Sequence, residues 1–220
     1  LYGEISPYSA TRLERFAACA FAHFLQYGLK VTERAEYEFR AMDMGNVMHM
    51  ALEKFAAEVR KEGLDWAELT EEERNRIIDS CLDQVSADYG NTILKSSARN
   101  EYMIERTRRI LRRTVWALQE QLKHGAFRPE GFEVRFQGGR IDRVDIMEEP
   151  ENNRVYVKVI DYKTGNTSFD LLALYHGLQL QLMVYLDGAL QVEKRKYPDR
   201  EIVPAGVFYY NVKDPMIQEK

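Results

Sequence analysis

No stretch constrains this chain more than residues 139–163. Gly139-Arg-Ile-Asp-Arg-Val-Asp145 and Val155-Tyr-Val-Lys-Val-Ile-Asp-Tyr-Lys163 read as strands, with the turn-forming Pro150-Glu-Asn-Asn153 between them. The pattern predicts an antiparallel hairpin. With the turn centred between Glu151 and Asn152, Val144 meets Val159 and Ile146 meets Val157 on one face. On the other, Ile141 meets Tyr162, Met147 meets Tyr156, and Asp145 opposes Lys158. A slip of one residue would turn every side chain to the wrong face. The same register sets Asp142 opposite Asp161, with Cβ atoms roughly 5 Å apart. Lys163 follows on that face, with Arg140 opposed to it. Like charges thus collect at one end of a hairpin that is otherwise well matched. Local conflict of this kind marks candidate sites.

Solvated strand ends also carry charge, so the hairpin alone leaves two readings open. The order Asp142, then Asp161-x-Lys163, has a specific chemical sense, however. Paired carboxylates hold a hard divalent cation such as Mg²⁺. Such a cation activates water and neutralises a phosphoryl oxygen, while a neighbouring lysine positions the water or stabilises the transition state.

Gly-Arg-Ile-Asp142-Arg-Val-Asp followed by Ile-Asp161-Tyr-Lys163-Thr-Gly resembles motifs II and III of the PD-(D/E)XK nucleases, in their RecB-like branch. Gly45-Asn-Val-Met-His49-Met-Ala-Leu-Glu53 is similar to the histidine motif of that branch, and Gln181-Leu-Met-Val-Tyr185 to its Gln-x-x-x-Tyr motif. Ser9-Ala-Thr-Arg-Leu-Glu-Arg-Phe-Ala-Ala-Cys19-Ala-Phe-Ala-His23-Phe resembles the opening of the nuclease domain in AddB-type helicase–nuclease subunits. The resemblance runs from about residue 8 to about residue 213 with its motifs in family order.

The resemblance implies an α/β fold with a restriction-endonuclease-like core, a small mixed sheet flanked by helices. A mostly helical part over 1–130 would precede a catalytic core over 131–213, in one domain spanning 1–220. It also implies a ligand set of His49, Asp142, Asp161 and the backbone carbonyl of Tyr162 for Mg²⁺ or Mn²⁺. Lys163 would position the attacking water, and Gln181 and Tyr185 would orient the DNA strand. The implied activity is exonucleolytic hydrolysis of single strands unwound with an AddA-like helicase–nuclease partner, in double-strand break repair. A noncatalytic DNA-binding or assembly module that keeps the same fold, or a stand-alone Cas4-like exonuclease, is the alternative. Cys19 resembles the first of four ligands to a [4Fe–4S] cluster. With two cysteines in the chain, such a cluster is expected only in a longer protein, and the start at Leu1 is read as that of a fragment.

Composition agrees with this. The chain's 220 residues, 45% of them hydrophobic, can bury one substantial core. No apolar run approaches the ~20 residues that span a bilayer, and no signal peptide is visible. Two cysteines argue against a disulfide-stapled secreted protein, so the cytoplasm is the expected compartment. The net charge of −4 argues against strong nonspecific DNA affinity, although clustered basic residues matter more than the total.

Elsewhere, apolar periodicity predicts helices over 8–27, 43–62, about 70–89, 101–124 and 169–194, with a last strand over Ile202–Val212. Ser9 or Thr11 would cap the first helix, whose apolar positions are Leu13, Phe16, Ala17, Phe21 and Phe24. Gly28, Gly63 and Gly125 supply stop signals, and Thr70-Glu-Glu-Glu73 a capped start. His49 on an apolar helix reads by itself as a core or boundary residue. Glu53, one turn on, could accept from the His49 imidazole or pair with a surface cation. Gln181 and Tyr185 share a face of a helix over Leu171–Leu190, with Tyr175 and His176 nearby. The run Arg106, Arg108, Arg109, Arg112 and Arg113 reads first as a solvated face and second as a phosphate track. Leu111, Val115, Trp116, Leu118 and Leu122 read as core, and Cys81 as a semi-buried thiol.

Overall fold

The computed structural model describes residues 9–31, 41–88, 98–165 and 167–212. The elements run α1 (Ala10–Ala18), α2 (Ala20–His23), a π-helical turn (Phe24–Gly28), α3 (Ala41–Lys61), α4 (Glu71–Asp88) and α5 (Ala98–Lys123). They continue with β1 (Arg128–Phe136), β2 (Gly139–Glu149), β3 (Arg154–Lys163), α6 (Leu171–Tyr175), α7 (Gln181–Lys196) and β4 (Glu201–Asn211). The fold is mixed α/β: helices first, then a four-stranded sheet in the order β1-β2-β3-β4 with helices between its third and fourth strands. The chain divides into two compact units, one of residues 1–36, 128–161 and 167–210, the other of 37–127, 162–166 and 211–220.

The first unit is built on the hairpin. β2 and β3 pair antiparallel from Arg143↔Ile160 to Glu149↔Arg154, through Val144↔Val159, Asp145↔Lys158, Ile146↔Val157 and Met147↔Tyr156. Asn153, in the left-handed region at φ 54°, closes the turn after a 3₁₀ turn at Pro150–Asn152. β1 adds an antiparallel edge, where Pro129 and a register shift before Gly131 fall. β4 runs parallel to β3: the Glu201 N–H donates to the Asn153 carbonyl at its start, and the Val212 N–H to the Lys163 carbonyl at its end. Val144, Ile146, Val157 and Val159 join Ile141, Val155 and Ala189 in the core beneath α7.

The opposite face of the hairpin holds charge. Asp145 is fully buried, accepts two hydrogen bonds from Arg143 (2.5 and 3.0 Å), and pairs with Lys158 at 2.9 Å. The Arg143 guanidinium lies 5.7 Å from the Phe132 ring centroid, within cation–π range. A buried carboxylate needs such compensation.

α7 lies close on the sheet because Gly188 carries no side chain. A Cβ there would come within 2.4 Å of the Phe136 ring. Gly188→Ala should therefore lower stability by about 1–3 kcal/mol, read as a shift in the chemical-denaturation midpoint at constant slope. An unchanged midpoint would contradict this packing.

The second unit packs α3, α4 and α5 through Val47, Leu52, Phe55, Ile78, Leu82, Leu111, Val115 and Leu118. Thr70 and Glu73 form the capping box: the Thr70 N–H donates to Glu73 Oε2 (3.0 Å) and the Glu73 N–H to Thr70 Oγ1 (3.3 Å). The expected end of α4 near Tyr89 lies outside the described residues. Gly63, at φ 67°, ends α3. Buried Gln119 donates to the carbonyls of Ala67 and Leu69 and accepts from Arg74. Arg108 reaches Asp83, Glu105 and Asp79, and Arg112 reaches Asp79, so this part of the arginine run ties α5 to α4. Arg106, Arg109 and Arg113 are exposed.

Four expectations need correction. The helix over 8–27 breaks at Cys19, which is extended (φ −164°, ψ 107°), and its apolar positions Leu13, Phe16 and Phe21 are exposed. The helix over Leu171–Leu190 is two helices. Gly177 (φ 74°) ends α6 in a Schellman turn, its N–H bonded to the Leu174 carbonyl and the Leu178 N–H to that of Ala173. Trp116 is exposed, about a hundred degrees around α5 from buried Val115. Cys81, expected to be semi-buried, is fully buried and pushed up to about 11 by burial, while Cys19 is exposed. In the native protein, Cys19 alone should react rapidly with an aromatic disulfide reagent, and Cys81 only after unfolding. Release of two thiol equivalents from folded protein would refute this assignment.

Candidate active site

In the first unit, acidic side chains gather where β1, β2 and β3 meet. Asp142 is 9% exposed and Asp161 2%. They sit one step beyond the paired residues Arg143 and Ile160. Glu133 joins them from β1. It lies between Phe132, paired with Arg143, and Val134, paired with Ile141, and so falls opposite Asp142. Its carboxylate comes within 4.8 Å of that of Asp142. Arg140 forms an ion pair with Glu133. Glu133 has φ 50°, an uncommon value for a residue with a Cβ. A strained conformation beside converging carboxylates is the kind of outlier that points to function. Glu133, Asp142 and Asp161 offer carboxylate oxygens, and hard oxygen ligands suit Mg²⁺ or Mn²⁺.

α7 covers this cluster. Gln181 Nε2 donates to the Tyr185 hydroxyl at 2.9 Å, so both side chains act from one face of the helix. A Cβ on Gly139, whose φ is 148°, would stand 3.6 Å from the Tyr185 ring, which also meets Phe136 edge to face. Burial pushes the Tyr185 hydroxyl up. The Gln181 hydrogen bond opposes the shift, and the charges of Asp161, Asp142 and Glu133 add to it. Tyr209 on β4 is pushed up to about 12, mainly by burial and then by Asp161, Glu14 and Tyr185. Both phenols therefore stay protonated at neutral pH and can donate hydrogen bonds. Gln179 acts elsewhere, accepting from the Asp170 N–H and donating to the Ser168 carbonyl, which clamps the loop before α6. Tyr175 is 84% exposed.

In the second unit, half-buried His49 on α3 meets the Tyr162 ring edge to face at 6.0 Å between centroids. Tyr162 directly follows Asp161 in β3. One turn earlier on α3, Gly45 leaves room for Thr164: a Cβ there would be 3.1 Å from its hydroxyl. The Tyr162-Lys163-Thr164 segment can thus run close along α3. Lys163 is half-buried, and Glu53 is exposed.

Sequence reasoning missed Glu133 and Tyr209. The signal for Glu133 is a carboxylate between Phe132 and Val134 in a strand, which resembles ordinary alternation until its register against Asp142 is known. Tyr209 stands in Val207-Phe-Tyr-Tyr210, an apolar strand that offers no sequence signal of a site.

A family model described as the PD-(D/E)XK nuclease superfamily matches residues 7–220. The chain is 48% identical over 225 residues to the B subunit of the ATP-dependent helicase/deoxyribonuclease from Lachnoclostridium phytofermentans, covering 99% of this chain and 19% of that protein. It is 39% identical over 238 residues to the protein of the same name from Alkaliphilus metalliredigens, covering 99% of this chain and 20% of that one. For the Clostridium acetobutylicum protein of that name the identity is 34% over 240 residues, covering 100% and 21%. The chain thus spans about one fifth of the length of these relatives. Among the described residues, no helix is long and apolar enough to cross a membrane.

Proposed function

Because this chain belongs to the PD-(D/E)XK nuclease superfamily, we propose that it is a metal-dependent deoxyribonuclease, an exonuclease domain that hydrolyses single DNA strands. The observation that carries this reading is the set of carboxylates Glu133, Asp142 and Asp161 under the hydrogen-bonded pair Gln181 and Tyr185. Asp142, Asp161, His49 and the Tyr162 carbonyl would hold Mg²⁺ or Mn²⁺, with Glu133 as a further oxygen ligand. When bound, the ion supplies charge neutralisation at the phosphoryl group and lowers the pKa of water. Lys163 orients the attacking water and shields the charge that develops on the phosphate. Gln181 and Tyr185 hold the strand by neutral hydrogen bonds, which fix its position without reading its sequence.

By analogy with the helicase/deoxyribonuclease subunits it matches, the domain works on strands unwound with an AddA-like partner during repair of double-strand breaks, inside the cell. An accessory [4Fe–4S] cluster would draw on exposed Cys19, and the chain's two cysteines do not suffice for one. The test is a digest of end-labelled single-stranded and duplex DNA with Mg²⁺, Mn²⁺ or a chelator, followed by mapping of the new ends. Metal-dependent, end-initiated shortening of the single strand to products with 5′-phosphates and 3′-hydroxyls is expected. DNA that is bound but left intact with either metal would instead establish a noncatalytic binding module.

A further inference from the structure

α7 begins without a cap of its own. Its N-cap residue is Leu180, which makes no side-chain cap hydrogen bond, and no acidic residue stands in its first turn. A helix start leaves amides that need acceptors and a positive dipole end that favours an anion. α1, at the other end of the sequence, supplies an acceptor for one of these amides and a negative charge for the dipole end. Glu14 Oε1 accepts a hydrogen bond from the Gln181 N–H at 2.9 Å, across 167 residues. The contact is not isolated: a Cβ on Gly177, in the turn before α7, would lie 3.4 Å from the Ala17 Cβ on α1. Glu14 is half-buried, and its charge is felt at Tyr209.

We infer that Glu14 is a positioning residue, which fixes the first turn of α7 so that Gln181 and Tyr185 stand over the acidic cluster. The connection is continuous. The Glu14 carboxylate holds the backbone of Gln181, and the side chain of Gln181 holds the Tyr185 hydroxyl at 2.9 Å. Tyr185 in turn packs on Phe136 and on Gly139, the first residue of the strand that carries Asp142. Glu14 therefore acts through hydrogen bonds without touching the substrate. A shift of about 1 Å in such a group is enough to cost large factors in rate. This role rests on the nuclease reading, although the hold itself does not.

The test compares Glu14→Ala, Glu14→Gln and Glu14→Asp in the 220-residue protein. Glutamine keeps an acceptor oxygen at the same reach, while aspartate keeps the charge on a shorter stem. Amide exchange at Gln181 should quicken in the alanine and aspartate variants and stay near wild type in the glutamine variant. The single-turnover rate of DNA cleavage should follow the same order, with about a tenfold loss for alanine and unchanged Mn²⁺ affinity. In a Tyr185→Phe background, Glu14→Ala should add little further loss, since the two act in one chain. A wild-type rate in Glu14→Ala, or a glutamine variant as impaired as the alanine one, would overturn the inference. A wild-type protein that cleaves no DNA while its Gln181 amide still responds to Glu14→Ala would sink the nuclease reading and leave the hold standing. An amide that does not respond, in a protein that cleaves, would sink the inference alone.

Discussion

Asp142→Ala and Asp161→Ala should each abolish DNA cleavage and leave the fold intact. Each removes a carboxylate proposed to hold the metal, and no neighbouring side chain can take its place at the same strand position. Asp142 also lies within 4.8 Å of Glu133, a like-charge contact worth about 3 kcal/mol at an effective dielectric of about 20. Arg140 offsets part of that repulsion through Glu133. In the absence of metal, Asp142→Ala should therefore melt at the same temperature as the wild type or higher. With Mg²⁺ added, the wild type should gain stability and the variant should not, because an ion bound only by the native state stabilises it. Residual Mg²⁺-dependent cleavage by either purified variant would remove these residues from the metal site.

The two lysines of β3 should separate cleanly. Lys163 is two residues from Asp161 and shares its face of the strand, whereas Lys158 lies on the other face and pairs with Asp145 at 2.9 Å. Lys163→Ala should lower the cleavage rate by at least about a hundredfold, the loss typical of one transition-state donor. Lys158→Ala should leave the rate unchanged and cost about 1.5 kcal/mol, the worth of one hydrogen bond to a charged group. Asp145 keeps both hydrogen bonds from Arg143 in that variant, so no buried charge is stranded. Equal rate losses in the two variants would place both lysines on one face and contradict the pairing.

The hairpin is legible in the sequence because strand pairing has a period of two and a turn fixes its register. With Pro150–Asn153 as the turn, each pair from Asp145↔Lys158 to Met147↔Tyr156 follows, and the structure has these pairs. α3, α4 and α5 are legible for a similar reason: long apolar periodicity and the stops at Gly63 and Gly125 leave little choice. What escapes depends on long-range contacts. Glu133 gains its place only through the β1–β2 register and a left-handed φ, neither of which alternation encodes. The break at Cys19 interrupts a sequence with unbroken helical periodicity, so no local signal announces it. Gly177 does carry a signal, a glycine after the last turn of α6, but the apolar residues on either side mask it. The cap from Glu14 to Gln181 joins residues 167 positions apart and has no sequence signature.

The most direct measurement is a calorimetric titration of Mn²⁺ into wild-type protein and into Asp142→Ala, run beside a cleavage assay on the same samples. Specific ion binding and DNA cleavage should both be present in the wild type and be lost together in the variant. Undiminished Mn²⁺ binding in Asp142→Ala, or cleavage that persists without bound metal, would contradict a catalytic centre built on these carboxylates.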